Sequence, residues 1–219
     1  MNRDELAGRP AGLPPICTAA RHGTMVMTVD ALAGGAWMGA HSDGLVVCLL
    51  NRTVTGDHHP RFPTTSRGLV VPEAVQAGSA TAVPALLEML DLGTVLPFTV
   101  MAADALDTVI VSWNGRELRV EPGTAIRCSS GLGDARVDGP RQSVWKDAIR
   151  NGITPAHQDD WHRSRFGADS AAWVLMSRPG ARTVSRSLVE IDPQRIRLED
   201  SPLDDAGIEL AHHAVEIQR

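Results

Sequence analysis

Leu45-Val46-Val47-Cys48-Leu49-Leu50-Asn51-Arg52 is the stretch on which the fold turns. Its first six residues are apolar without interruption, a run of strand length suited to a sheet covered on both faces. It stops on a polar Asn-Arg pair. Upstream, Gly34-Gly35 marks a tight turn, Trp37 begins the preceding strand, and Asp43-Gly44 leads into the apolar run. The unit is strand, turn, strand, with polar side chains at its far end.

The same pattern continues on both sides. Met25 to Val29, Phe98 to Ala103 and Thr108 to Trp113 read as strands. Asn114-Gly115 is the strongest hairpin signal in the chain. Glu117 to Glu121 is the returning strand and Thr124 to Ser129 a further one. Ala171 to Met176 and Thr183 to Ile191 read as a second hairpin, joined by Arg178-Pro179-Gly180. Helices are predicted around Pro72 to Gln76, from Pro84 to Asp91, and over Gln142 to Arg150. Residues 51 to 68 form a polar loop holding Asp57-His58-His59-Pro60 and Ser66-Arg67-Gly68. Residues 1–23 are taken as an irregular N-terminal segment and residues 203–219 as a peripheral tail. Strands come in runs with helices between the runs, which predicts an α+β fold of mostly antiparallel sheets. One domain spans 1–219.

Composition excludes several classes. The net charge of −5 offers no basic field for nucleic acid. No apolar run approaches the ~20 residues of a membrane helix, and the charged start is no secretory segment. Cys17, Cys48 and Cys128 have no metal spacing and read as reduced thiols of a cytoplasmic protein. Cys17 is the expected reactive thiol, and Cys48 a small buried hydrophobe. Lys146 is the only lysine and Tyr is absent, which fits a GC-rich bacterial genome. The histidines, His157 and His162 among them, lack a ligand set and read as solvated-loop residues, so no metal and no cofactor is expected. Trp37 and Trp113 read as core anchors.

Asn2-Arg3-Asp4-Glu5 followed by Arg9-Pro10 resembles the signature of the NRDE family, which includes the transport and Golgi organisation protein 2 group. The resemblance runs on through Gly34 to Gly39, Gly44-Leu45, Leu50-Asn51-Arg52, Ser66-Arg67-Gly68 and Pro97 to Asp104. That family is similar to N-terminal nucleophile hydrolases of the choloylglycine amidase type. The resemblance therefore implies a four-layer αββα sandwich, here without the opening strand that carries the family's Met-Cys. Two explanations of that start compete: a start codon placed too late, or a natural truncation. Loss of the strand would leave unpaired edges, with marginal stability or a homodimer as the consequence.

What the resemblance implies for single residues stands beside simpler readings. Arg3 and Asp4 would orient a nucleophile and bind substrate, or form a structural ion pair at a strand end. Asn51 would donate its amide to an oxyanion, or cap a turn. Arg52 would bind a carboxylate or phosphate, or solvate its loop. Arg67 would line the cleft, or only its loop. Ser130 stands where relatives place Asn, and a hydroxyl reaches less far. The catalytic set is thus Arg3, Asp4 and Asn51 without a nucleophile, and the ligand-binding set Arg52, Arg67 and Ser130. The function expected for the chain as written is non-catalytic binding or trafficking of a haem- or lipid-related small molecule, although no Cys-x-x-Cys-His motif supports haem. The alternative is a Cys-dependent hydrolase of a non-peptide C–N amide bond.

Overall fold

A computed structural model describes residues 1–53 and 65–219 of the chain, so Asp57-His58-His59-Pro60 lies outside the described residues. The larger sheet is a seven-stranded antiparallel meander. It comprises β2 (Leu13–Ala19), β3 (Thr24–Val29), β4 (Met38–His41), β5 (Val46–Asn51), β6 (Phe98–Ala103), β7 (Thr108–Trp113) and β8 (Leu118–Pro122). The smaller sheet runs in the order β1 (Asn2–Leu6), β10 (Ala181–Ile191), β11 (Arg195–Pro202) and β12 (His213–Gln218), with the two-residue β9 (Ser177–Arg178) beside β10.

The uninterrupted run of β5 is explained by its two neighbours. Val47 and Leu49 join a core shared with the short helices α1 (Val70–Ala74) and α2 (Val83–Glu88). Val46 and Cys48 face the core between the two sheets, where Val26, Trp37 and Met38 meet Ile196, Leu198 and Ile217. Each large aliphatic side chain buried this way stabilises the fold by roughly 1.5–3 kcal/mol. A third cluster joins α3 (Asp134–Ala148) and α4 (Pro155–His162) through Trp145, Trp161 and Val137, with Cys128 and Val174. Along β1, Arg3 turns inward to Trp37, while Asn2 turns outward to the carbonyls of His162 and Val174. The second helical layer therefore lies over the β1 end of the smaller sheet. The layers are α, β, β, α.

Several expectations need correction. Residues 1–23 are not irregular, because they contain β1 and β2. Pro14 and Pro15 hid β2, but β2 is an edge strand, where missing N–H groups are tolerated, and its register is irregular between Leu13 and Ile16. Residues 203–219 are not peripheral: β12 pairs with β11, and Ile217 is buried between the sheets. Thr124 to Ser129 and Ala171 to Met176 are not strands, although the turn at Pro179-Gly180 does join β9 to β10. His157 and His162 belong to α4 and not to a loop. On the side that faces β1, the β10 residues Leu188 to Ile191 have no strand partner among the described residues.

Candidate functional site

A cleft of about 590 Å³ opens beside β1. Its walls are Met1 to Glu5, the Trp37-Met38 start of β4, the end of β5, the Ser66–Gly68 turn, residues 125–129 and the end of α4. The Gly-Gly and Ser-Arg-Gly motifs prove to be one feature. Ala36 N–H donates to the Gly68 carbonyl at 2.9 Å, and a Cβ on Gly35 would fall 2.6 Å from the Gly68 carbonyl carbon. Ser66 Oγ caps the turn by accepting from Gly68 N–H at 3.3 Å. This close approach sets Arg67 on the cleft wall, where its Nη1 donates to the Pro97 carbonyl at 3.1 Å and burial lowers its pKa.

Arg3 is the decisive side chain. It is 7% exposed and its guanidinium lies 4.4 Å from the centre of the Trp37 ring. Asp30 and Glu5 approach it only to 3.7 and 3.8 Å. Both of those carboxylates are held more closely by Arg9, at 2.5 Å from Asp30 and 3.2 Å from Glu5. Arg3 Nη1 and Nη2 are consequently buried with no hydrogen-bond partner among the described residues. Burial lowers its pKa, against the opposing pull of Asp30 and Glu5. A guanidinium carries five donors and stays charged. The arrangement is a buried cation with donors to spare.

Asp4 also lines the cleft, but its Oδ1 is occupied: it accepts from Thr183 Oγ1 at 2.6 Å, and that hydroxyl accepts from Met176 N–H. Burial raises its pKa, while the Thr183 hydrogen bond, Arg141 (at 3.9 Å) and Arg178 oppose the shift. Asn51 ends β5 opposite Phe98, exposed and on the cleft wall. The structure brings Arg3, Asp4, Asn51 and Arg67 together. It leaves Arg52 and Ser130 off the wall. Arg52 is half-buried, with its N–H on the Pro97 carbonyl. Ser130 shapes the turn before α3: its Oγ accepts from Leu132 N–H and its own N–H donates to Asp134.

Sequence reasoning missed four contributors. Arg9 and Asp30 complete the charge cluster. Arg141, only 5% exposed, donates to the carbonyls of Ala172, Ser129 and Trp173 and so ties α3 to the wall. His162 lines the cleft behind Asn2. Two cysteines reach the cleft, but burial raises the pKa of both, Cys128 to about 11, which keeps them as thiols. Cys17, by contrast, is exposed on β2. Among the described residues no group of three His, Cys, Asp or Glu is placed to hold a metal ion. No helix among them is long and apolar enough to cross a membrane.

The model of the family described as Transport and Golgi organisation 2 matches residues 1–159, which contain β1, the Gly-Gly turn, Arg67 and Asn51. The chain belongs to that family. The match ends inside α4, before His162, so the Transport and Golgi organisation 2 family region holds the arginines of the cleft but not its histidine. Among solved structures, a Caenorhabditis elegans N-acylethanolamine-hydrolyzing acid amidase ortholog is similar with a TM-score of 0.50 and 13% sequence identity, over 70% of this chain and 79% of that one. At that identity the likeness is one of fold alone, and it agrees with the layered αββα sandwich. No curated protein sequence matches the chain.

Proposed function

We propose that the cleft binds a small amphipathic acid, lipid-related in character, with its carboxylate on Arg3. The observation that carries this reading is the unsatisfied guanidinium of Arg3, a residue of the cleft wall, buried against Trp37. Leaving such a group without partners is costly, and a carboxylate matches its paired N–H groups. Five cleft arginines, at positions 3, 9, 67, 127 and 141, stand against three carboxylates, Asp4, Glu5 and Asp30, so the wall retains a positive balance. Met38, Leu49, Met101 and Ile126 supply the apolar remainder, and the volume lies in the ordinary range for a small-molecule site. Haem, which also carries carboxylates, is the competing ligand of the same reading.

The test is calorimetric titration with decanoate, 1-decanol and haem. Decanoate is expected to bind and the alcohol to bind weakly. Arg3→Met is expected to reduce decanoate affinity by about 10- to 100-fold, the scale of charge-assisted hydrogen bonds. Equal binding of acid and alcohol would overturn the reading, and tight haem binding that survives Arg3→Met would replace it.

One observation favours a second reading, amide hydrolysis: Arg3, Asp4 and Asn51 reach the same cleft. A cysteine thiolate placed ahead of Asn2 would attack the amide carbon, with the oxyanion on the Asn51 amide and the amine leaving with a proton. Water would then release the acid from the thioester. A chain extended upstream by a Met-Cys strand, treated with an electrophilic lactam, decides this: covalent labelling of that cysteine supports hydrolysis, and stoichiometric binding without labelling supports the carrier.

A further inference from the structure

We propose that His162 is a ligand-contacting residue, a hydrogen-bond acceptor that selects an acid carrying an O–H or N–H donor at its other end. The proposal rests on the acid-binding reading of the cleft and adds the second half of its specificity.

The argument begins with Asn2. Its Nδ2 donates to two carbonyls, those of His162 at 2.9 Å and Val174 at 2.8 Å. That fixes the orientation of the amide, because a flipped side chain would set oxygen against oxygen twice. Asn2 Oδ1 can then only accept, and the atom 3.1 Å from it is His162 Nδ1. Nδ1 must therefore carry the proton. The ring is neutral: burial holds its pKa well below the ordinary imidazole value, with Arg186 acting in the same direction. A neutral imidazole protonated at Nδ1 has its lone pair on Nε2. Nε2 has no hydrogen-bond partner among the described residues, and His162 lines the cleft. The ring is further held edge-on by Trp161, with centroids 4.8 Å apart. A fixed, neutral, unpartnered acceptor in a cleft discriminates strongly, because a ligand without a donor leaves it unpaired.

The position of the acceptor defines the ligand. Asn2 and Arg3 are neighbours on β1, so their side chains leave by opposite faces, and the two polar ends of the site are separated by on the order of 10 Å. The cleft reaches both sides because β1 is an edge strand with β10 on one side only. The matching chemistry is a medium-chain acid with a hydroxyl or N–H near its far end and an apolar stem between.

The experiment compares ω-hydroxydecanoate with ω-methoxydecanoate, which keeps the carboxylate, chain and oxygen but has no donor. Wild-type protein is expected to prefer the hydroxy acid by about tenfold. His162→Phe is expected to abolish that preference. His162→Asn is the second variant: it keeps a donor for Asn2 Oδ1 but places no acceptor where Nε2 lay, and it too is expected to lose the preference. Equal binding of the two acids to wild type would overturn the proposal, as would a preference that survives both variants. Diethyl pyrocarbonate provides an independent readout, since it acylates an accessible unprotonated imidazole nitrogen. Peptide mapping is expected to find His162 modified in the native protein, and protected by ω-hydroxydecanoate. If neither acid binds, the acid-site reading fails and the proposed selection fails with it, whereas acid binding with an unreactive His162 overturns the proposal alone.

Discussion

Arg3 owes its spare donors to Arg9. The two guanidiniums share Asp30 and Glu5, and Arg9 takes the shorter contacts with both. Arg9→Gln is therefore expected to release the carboxylates to Arg3, remove one positive charge from the wall, and weaken decanoate binding several-fold. Titration of the variant checks this, and unchanged affinity would show that the competition is unimportant. A second expectation concerns Asp200, which is 3% exposed and accepts from Ser187 Oγ, the hydroxyl that also accepts from Trp37 Nε1. Burial raises the Asp200 pKa. A carboxyl raised in the native state contributes stability that is complete below its unfolded value of about 3.9 and is lost as pH rises through the native value. Asp200→Asn is expected to be more stable than wild type at neutral pH, with the difference shrinking as pH falls. Paired melts across pH measure it, and a variant less stable throughout would contradict the sign. At this scale the sequence is legible only where a motif speaks. Arg3, Asp4, Asn51 and Arg67 stand out through their resemblance to a family. Arg9 is visible only as part of a motif, and His162 reads as solvated when metal spacing is the sole question asked of it. Its significance depends on Asn2, 160 residues away, a proximity that no local pattern encodes.

Elements place these side chains, and two of them carry most of the burden. The Gly35–Gly68 contact sets the Ser66–Gly68 turn against the start of β4. Gly35→Ala would force a methyl into the backbone of that turn, at a cost of about 1–3 kcal/mol or more, and is expected to weaken decanoate binding by displacing Arg67. Thermal melts and titration report the two effects separately. The strand β12 closes the smaller sheet, with Ile217 between the sheets. Ile217→Ala is expected to cost about 2–5 kcal/mol, because Ile217 fills the core between the sheets behind Trp37 and Met38. Denaturant unfolding gives the cost. The strands read correctly, β3 to β8 and β10, have apolar runs or lie beside a clear turn signal. β11 alternates Ile196, Leu198 and Asp200 inward with Arg195, Arg197 and Glu199 outward, a strand pattern obscured because half its residues are charged. β1 is more polar still, and only its pairing with β10 makes it a strand.

At the scale of the molecule, the sandwich is a device for holding one polar strand at an apolar edge. The meander packs α1 and α2 on one face and the smaller sheet on the other, and α3 and α4 close the far side of β1. β1 thus stands with one flank paired to β10 and the other along the cleft, which is why a cation on it can be buried and still meet a ligand. The α+β class with antiparallel sheets was readable from the grouping of strands and helices, and its four layers only through the family resemblance. The cleft was not, because it is formed by segments as distant as Arg3, Trp37, Arg67 and Cys128. The most direct measurement is a crystal structure of the protein soaked with decanoate. The expected result is the carboxylate within hydrogen-bonding distance of Arg3 Nη1 and Nη2, with the chain running along Met38 and Ile126. A carboxylate bound elsewhere, or Arg3 paired instead with a protein acceptor in a cleft the acid does not enter, would contradict it.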